Sequence, residues 1–243
     1  MFDFLLNTLL PAQTNDEMIQ IFISSIISIS STDEQYLLLK EWVVDGKPFY
    51  FKDKAKVHIE AKLTVSQKHS IFKKLAISIK LHTPDNMMFI SEQLKADTEN
   101  KDLNERCILA CEAATYDKEV KNKLFDDVMS EKTNYSIWEA RAIMSTLMPK
   151  SQFDIVEPLI DKFFAQIQGV FKAKLRDERD AIYAGLSPIK FASSEILSKY
   201  EKLIDSLDEN ENKSLLKNLK EDVLDIEKIL RGKELYAKSF HSK

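Results

Sequence analysis

Turn-forming residues are scarce in this chain, whose 243 residues include only four glycines and six prolines. Average usage would give about 17 Gly and 12 Pro in this length. Hairpins, glycine-rich phosphate loops and sheets of many short strands depend on such residues. Hydrophobic residues still make up 44% of the chain and charged residues 30%, so a packed core is feasible. The composition therefore predicts an all-α protein.

The charge balance argues against a nucleic-acid partner. Lys and Arg number 35 against 39 Asp and Glu, a net charge of −4, whereas a nucleic-acid footprint requires a basic surplus. Only five of the basic residues are arginine, the side chain best suited to bidentate phosphate binding. We therefore expect no nucleic-acid partner. The two cysteines, Cys107 and Cys111, make no disulfide framework and suit a reducing compartment, so we expect a cytoplasmic protein.

Two apolar stretches are candidates for a targeting or membrane segment. Residues 1–10 lack a basic n-region and carry Asp3, unlike a signal peptide. The run from Met18 to Ile29 has about a dozen residues, short of the roughly 20 that span a bilayer. We expect no membrane contact, and we expect the second run to form a helix buried on most sides.

Capping boxes of the form Thr-x-x-Glu/Gln mark helix starts at Thr14, Thr32 and Thr64, and Thr83-Pro84 marks another. Apolar residues at helical spacing follow each start and continue along the chain, which gives about a dozen helices. Antiparallel helix pairs that recur in this way are typical of an α-α superhelix, a solenoid of the HEAT or armadillo type. No linker rich in Pro, Gly or Ser divides the chain, so we expect a single helical domain over 1–243.

Two segments differ from the rest. Two apolar heptad-like stripes separated by the polar loop 208–212 predict a C-terminal helical hairpin over 193–238. Residues 47–63 alternate apolar and charged residues, which is compatible with a short β-hairpin or an extended loop. We interpret 47–63 as an irregular insertion.

Catalytic and metal-binding motifs are not found. No His-Glu-x-x-His is present, and no two of the four histidines are three to five residues apart. Cys107 and Cys111 have i,i+4 spacing, but nothing completes four ligands, so they fit a helix core better. No Gly-x-Ser-x-Gly or phosphate loop occurs. We therefore predict no catalytic residue, no metal ligand and no cofactor in this chain, and we interpret acidic pairs such as Glu221-Asp222 as solvated helix faces.

The stretch from Trp138 to Pro188 carries more specific features. It contains the turn Ser-Thr-Leu-Met-Pro149, the run Glu157-Pro-Leu-Ile-Asp-Lys-Phe-Phe-Ala-Gln-Ile and the turn Gly185-Leu-Ser-Pro. This order resembles the end of the C-terminal helical domain of bacterial zinc aminopeptidases of the aminopeptidase N family. Four upstream segments look similar to that domain in the same order, namely 38–46, 67–76, 85–114 and 114–128. The similarity covers roughly residues 30–235.

The resemblance implies a domain that encloses the active-site chamber of a separate catalytic domain in the same polypeptide and limits the entry of peptide substrates. The catalytic thermolysin-like domain has no counterpart here, so no catalytic or zinc-binding position carries over, and zinc would belong to the parent's catalytic domain. Segment 47–63 is longer and more charged than the resemblance predicts. Whether the chain is an enzyme by itself is left open, and we expect it to be inactive alone. The alternative is a free-standing HEAT-like scaffold that binds a protein or peptide.

Three arginines, Arg141, Arg176 and Arg179, are the candidates for substrate contact. Arg176 or Arg179 would receive a carboxylate such as a peptide C-terminus, although a mixed-charge surface explains the cluster more simply. A domain separated from a partner should also expose an apolar face, which we expect near residues 1–30.

Overall fold

The computed structural model describes residues 1–241, with side chains for residues 1–239. This part of the chain contains twelve α-helices and two short strands, so the predicted all-α class is confirmed. The solenoid arrangement stays a prediction. Contacts group the chain into two compact units, Met1–Tyr116 and Asp117–Lys243, whereas the sequence predicts one domain. The boundary falls in the short turn between two helices, and composition gives no sign of it because no flexible linker is present. Within the described residues, every helix is too short or too polar to cross a membrane.

The first unit contains six helices and a β-hairpin. Helix α1 is continued by a wider π-helical turn over Leu5–Leu9. The elements are α1 (Phe2–Phe4), α2 (Asp16–Ile29), α3 (Asp33–Val44), β1 (Phe49–Lys52), β2 (Ala55–His58), α4 (Val65–Ile77), α5 (Pro84–Ala96) and α6 (Lys101–Ala113).

Helix starts in this unit follow the capping rules. The predicted boxes at Thr32 and Thr64 are present with both reciprocal bonds, and Thr83 caps the helix that begins at Pro84. The box predicted at Thr14 is wrong by one residue, because the side chain of Asn15 accepts the backbone N–H of Met18. Asparagine is an equally good N-cap, so the chain enters the helix one position later.

The interpretation of 47–63 as irregular is corrected by the structure. Residues 49–58 form an antiparallel hairpin in which Phe49 pairs with His58 and Lys52 with Ala55. Its two turn residues have positive φ values, 50° at Asp53 and 66° at Lys54, although such turns usually contain glycine. The buried Phe49 anchors the hairpin, and its carbonyl accepts the indole N–H of Trp42 at 3.0 Å.

Helix α2 is buried on one face only, which corrects the expectation of burial on most sides. Its buried stripe includes Ile23 and Ile26, whereas Met18 and Ile21 are exposed on the opposite side. Phe4 of α1 is exposed as well. Single apolar side chains within residues 1–30 are therefore exposed, and the expected apolar face stays a prediction.

The second unit contains the remaining six helices. Two single 3₁₀ turns, Lys150–Gln152 and Pro188–Phe191, lie before α9 and after α10. The helices are α7 (Lys118–Met129), α8 (Ile137–Leu147), α9 (Phe153–Ala173), α10 (Arg176–Leu186), α11 (Ser194–Ser206) and α12 (Lys213–His241). Helices α11 and α12 pack on each other across a short polar loop, in the range of the predicted C-terminal hairpin.

Candidate binding groove

An open groove of about 820 Å³ lies between α8 and α10 in the second unit. Both helices belong to the segment 138–188 that carries the family resemblance. The groove is lined by Ile137, Trp138, Arg141, Met144, Ser145, Asp177, Asp180, Ala181, Ala184, Gly185 and Lys190. Aromatic, apolar and charged side chains of both signs therefore face one concave surface.

The shape of the groove follows from small residues on α10. A Cβ atom placed on Gly185 would come within 2.9 Å of the Cβ and 2.8 Å of the sulfur of Met144. Helices α8 and α10 can approach this closely because Gly185 has no side chain. Ala181 and Ala184 continue the same small-residue surface along the groove.

Trp138 and Arg141 form the aromatic and cationic wall. The guanidinium of Arg141 lies 5.0 Å from the centre of the Trp138 ring, and the indole side chain is 55% exposed. A cation–π contact at an exposed site contributes about 0.5–1 kcal/mol. The pair therefore presents aromatic and cationic surface to the groove.

The groove has charges of opposite sign at its two ends. Asp177 lies in the first turn of α10 and Lys190 in the 3₁₀ turn that follows the helix, and an 11-residue helix is about 16 Å long. Among the side chains of residues 1–239, none of Arg141, Asp177 and Lys190 has an ion-pair partner within 4.0 Å. Burial, followed by the charge of Lys150, lowers the pKa of Lys190.

Only one of the three candidate arginines lines the groove, namely Arg141. The Arg179 guanidinium donates to the Phe171 carbonyl at 3.2 Å and lies over the Phe171 ring. Arg176 is exposed and lies 3.6 Å from Asp180. Arg176 and Arg179 therefore flank Asp180, a groove residue, without lining the groove themselves.

Sequence reasoning missed a polar cluster centred on the half-buried Asp222. One oxygen of this carboxylate accepts the hydroxyls of Tyr183 at 2.8 Å, Tyr200 at 2.8 Å and Ser187 at 2.6 Å. Burial, together with the nearby carboxylate, raises the pKa of both tyrosines well above its ordinary value. The interpretation of Glu221-Asp222 as a solvated pair is therefore wrong for Asp222, which joins α10, α11 and α12.

Lys121 is a second polar group in the interior of this unit. Its side chain is fully buried, and its Nζ donates to the Leu147 carbonyl at the end of α8 at 2.8 Å. Burial, followed by the charge of Lys190, lowers the pKa of Lys121 to about 7. The amine caps a helix C-terminus inside the protein and does not reach the groove lining.

The described side chains do not fit a zinc site. Among residues 1–239, no three His, Cys, Asp or Glu side chains are grouped closely enough to hold a metal ion. Cys107 and Cys111 are buried, and their mutual hydrogen bond and burial raise the pKa of the Cys111 thiol. A thiol in such surroundings is a poor metal ligand because metals bind the thiolate.

In comparisons with known proteins, no protein-family model matches the chain, and no curated protein sequence matches it significantly.

Proposed function

We propose that this chain is the non-catalytic C-terminal helical domain of a zinc metallo-aminopeptidase, which hydrolyses N-terminal residues from peptides. The domain would enclose the active-site chamber of the parent protein and limit substrate access. Support comes from the resemblance over residues 30–235 and from the all-α fold. The zinc-bound water of the parent would supply the chemistry, and this chain would supply binding surface.

The observation that carries the proposal is the groove between α8 and α10. The most family-like segment of the sequence forms it, and it presents an exposed indole beside charges without ion-pair partners. Binding energy gained at a site remote from the reacting bond positions a substrate without taking part in the chemistry.

The spacing of the charges suggests what the groove accepts. Asp177 and Leu186 are about 14 Å apart along the axis of α10, and Lys190 lies in the turn beyond. An extended chain covers about 3.3–3.6 Å per residue, so a segment of four or more residues is needed to pass from Asp177 to the end of the helix near Lys190. A peptide carboxylate would face Lys190 and Arg141, and a basic group would face Asp177. We therefore assign to the groove a short peptide segment with a free carboxylate and a basic residue.

Fluorescence provides a direct test, since the protein has only two tryptophans. Trp42 is fully buried in the first unit, whereas Trp138 is exposed in the groove. The probe is the pentapeptide Lys-Leu-Ala-Ala-Leu, and we expect it to shift the tryptophan emission of the wild-type protein. Trp138→Phe should abolish the shift, with Trp42→Phe as the matched control that retains it. The same shift in Trp138→Phe, or none in the wild type, would exclude the groove as the peptide site.

Catalysis is tested separately with leucyl-aminomethylcoumarin. We expect no release of the fluorophore by the purified chain with or without added zinc, because no group of metal ligands is present among the described side chains. Zinc-dependent release would overturn the non-catalytic assignment.

A free-standing protein- or peptide-binding scaffold is the second candidate, and the same groove favours it. The two candidate functions differ in whether a catalytic domain is encoded together with this chain. An in-frame segment with His-Glu-x-x-His in the same transcript supports the aminopeptidase, and a transcript that encodes the helical chain alone supports the scaffold.

A further inference from the structure

The β-hairpin of the first unit has one partly hydrogen-bonded edge and one open edge. In an antiparallel pair, hydrogen-bonded and non-hydrogen-bonded residue pairs alternate. The N–H of Ile59 donates to the Pro48 carbonyl at 2.9 Å, so this pair is hydrogen-bonded. Alternation from this pair makes 50/57 and 52/55 hydrogen-bonded pairs and 49/58 and 51/56 non-hydrogen-bonded pairs. The backbone N–H and C=O groups of residues 49, 51, 56 and 58 therefore point away from the partner strand.

Two outward groups of β1 are hydrogen-bonded to other parts of the protein. The Phe49 carbonyl accepts the Trp42 indole N–H at 3.0 Å, and the Phe51 N–H donates to the side-chain oxygen of Asn7 at 3.4 Å. Two of the four outward backbone groups of β1 are therefore engaged within the protein.

The outward groups of β2 belong to Lys56 and His58, and both residues are exposed. No hydrogen bond from the described residues reaches the backbone N–H or C=O of either one. An exposed strand with unpaired donors and acceptors is a template for one more strand.

Lysine on an edge strand often prevents such pairing, but Lys56 is held away from the edge. Its Nζ lies 4.0 Å from the centre of the Phe49 ring and binds Glu41 at 2.9 Å and Asp45 at 3.0 Å. These contacts fold the side chain over one face of the hairpin, so it leaves the edge itself accessible.

Only the turn end of this edge has a net positive charge. Away from the turn, Lys56 pairs with both Glu41 and Asp45, which leaves one negative charge there, and Lys47 pairs with Glu60 at 2.7 Å. At the turn, Lys52 and Lys54 flank Asp53, and no carboxylate of the described residues pairs with either lysine. An acidic side chain of a docked strand would therefore be favoured at the turn end, beside Lys52 and Lys54.

We propose that the β2 edge, residues 55–58, binds an extended acidic segment of a partner protein by adding it as a third strand. Backbone hydrogen bonds at Lys56 and His58 would hold the segment, and Lys52 and Lys54 would select its charge. This inference concerns the first unit and does not depend on the peptide groove of the second.

The probe is the capped hexapeptide Ac-Glu-Val-Glu-Val-Glu-Val-NH₂, titrated into the ¹⁵N-labelled protein and followed by amide chemical shifts and hydrogen exchange. In the free protein, the Lys56 and His58 amides should exchange faster than those of Ala55 and Val57. Adding the probe should shift and protect Lys56 and His58. No change at these two amides up to the solubility limit of the probe would overturn the proposal.

Two probe analogues separate backbone pairing from charge. The hexapeptide N-methylated at every amide cannot donate to the edge, and we expect it to lose binding. The analogue with Gln in place of Glu should bind about 3- to 10-fold more weakly than the hexapeptide itself, which is the effect expected from losing a few exposed ion pairs. Equal binding of the N-methylated analogue would overturn strand addition.

Protein variants test the same assignment. Lys52→Gln combined with Lys54→Gln should weaken binding about 3- to 10-fold, whereas Lys95→Gln combined with Lys101→Gln, on exposed lysines of the same unit, should not.

His58→Pro removes one outward N–H and should weaken binding of the hexapeptide, while His58→Ala retains this N–H and should bind as the wild type does. Concentration-dependent protection of Lys56 and His58 without probe would identify a second copy as the occupant and contradict the acidic partner.

Discussion

Asp222 and Asp177 both lie on helices of the second unit, but their surroundings differ completely. Asp222 accepts three hydroxyls from Tyr183, Ser187 and Tyr200, whereas Asp177 faces an open groove without an ion-pair partner among the described residues. The cations differ in the same way, since Lys121 is buried against a helix carbonyl and Arg141 lies on an exposed indole. The interior groups thus act on stability, Asp222 by accepting buried hydroxyls and Lys121 at a cost when it is charged, whereas the groove groups face an open surface.

The largest effect should come from Lys121, through the pH dependence of stability. Its pKa of about 7 in the folded protein lies below the ordinary value of about 10.4, so the unfolded chain binds the proton more tightly. The burial penalty is therefore complete below pH 7 and disappears as the pH rises to about 10.4. Relative to Lys121→Met, the free energy of unfolding of the wild type should rise by up to about 4 kcal/mol across this range.

Chemical denaturation at several pH values measures this difference. Lys123→Met, at an exposed position of the same helix, is the matched control and should follow the wild type. A constant difference between wild type and Lys121→Met from pH 7 to 10 would show that the interior amine carries no charge-dependent cost.

The next largest effect should come from the Asp222 cluster. Asp222→Ala removes the acceptor of three buried hydroxyls and should lower the free energy of unfolding by roughly 3 kcal/mol. Asp222→Asn retains an acceptor and should cost less. Glu221→Ala, next to it on the exposed face, should change stability by no more than about 0.5 kcal/mol. Equal losses for Asp222→Ala and Glu221→Ala in urea titrations would remove the distinction between interior and surface carboxylates.

Sequence and structure agree best where local rules decide. Thr32, Thr64 and Thr83 cap helices as predicted because a cap depends on a few neighbouring residues. The hairpin turn at Asp53-Lys54 was missed because neither residue is glycine. Asp222 could not be found in this way, because its hydroxyl partners come from positions 22 to 39 residues away. In the groove, Arg141 was a candidate from sequence, whereas Trp138 and Lys190 needed the packing of α8 on α10.

A smaller effect separates two glycines of the second unit. Gly185→Ala would place a Cβ 2.9 Å from the Met144 Cβ and should cost roughly 1–2 kcal/mol, with a narrowed groove. Gly169→Ala meets nothing within 4 Å on an exposed helix surface and should gain about 0.5–1 kcal/mol from helix propensity. Thermal unfolding of both variants tests this difference, and a gain in both would mean that Gly185 is not needed for the close approach.

The smallest effect on stability should come from the groove charges, whose removal should instead weaken peptide binding. Arg141→Gln combined with Lys190→Gln should change stability by no more than about 0.5 kcal/mol and weaken the pentapeptide Lys-Leu-Ala-Ala-Leu about 10-fold or more in calorimetric titration. The control, Lys162→Gln combined with Lys199→Gln, removes cations already paired with Asp126 and Asp161 and should leave the affinity unchanged. Equal affinities for the two double variants would contradict the claim that the groove keeps its charges free for a ligand.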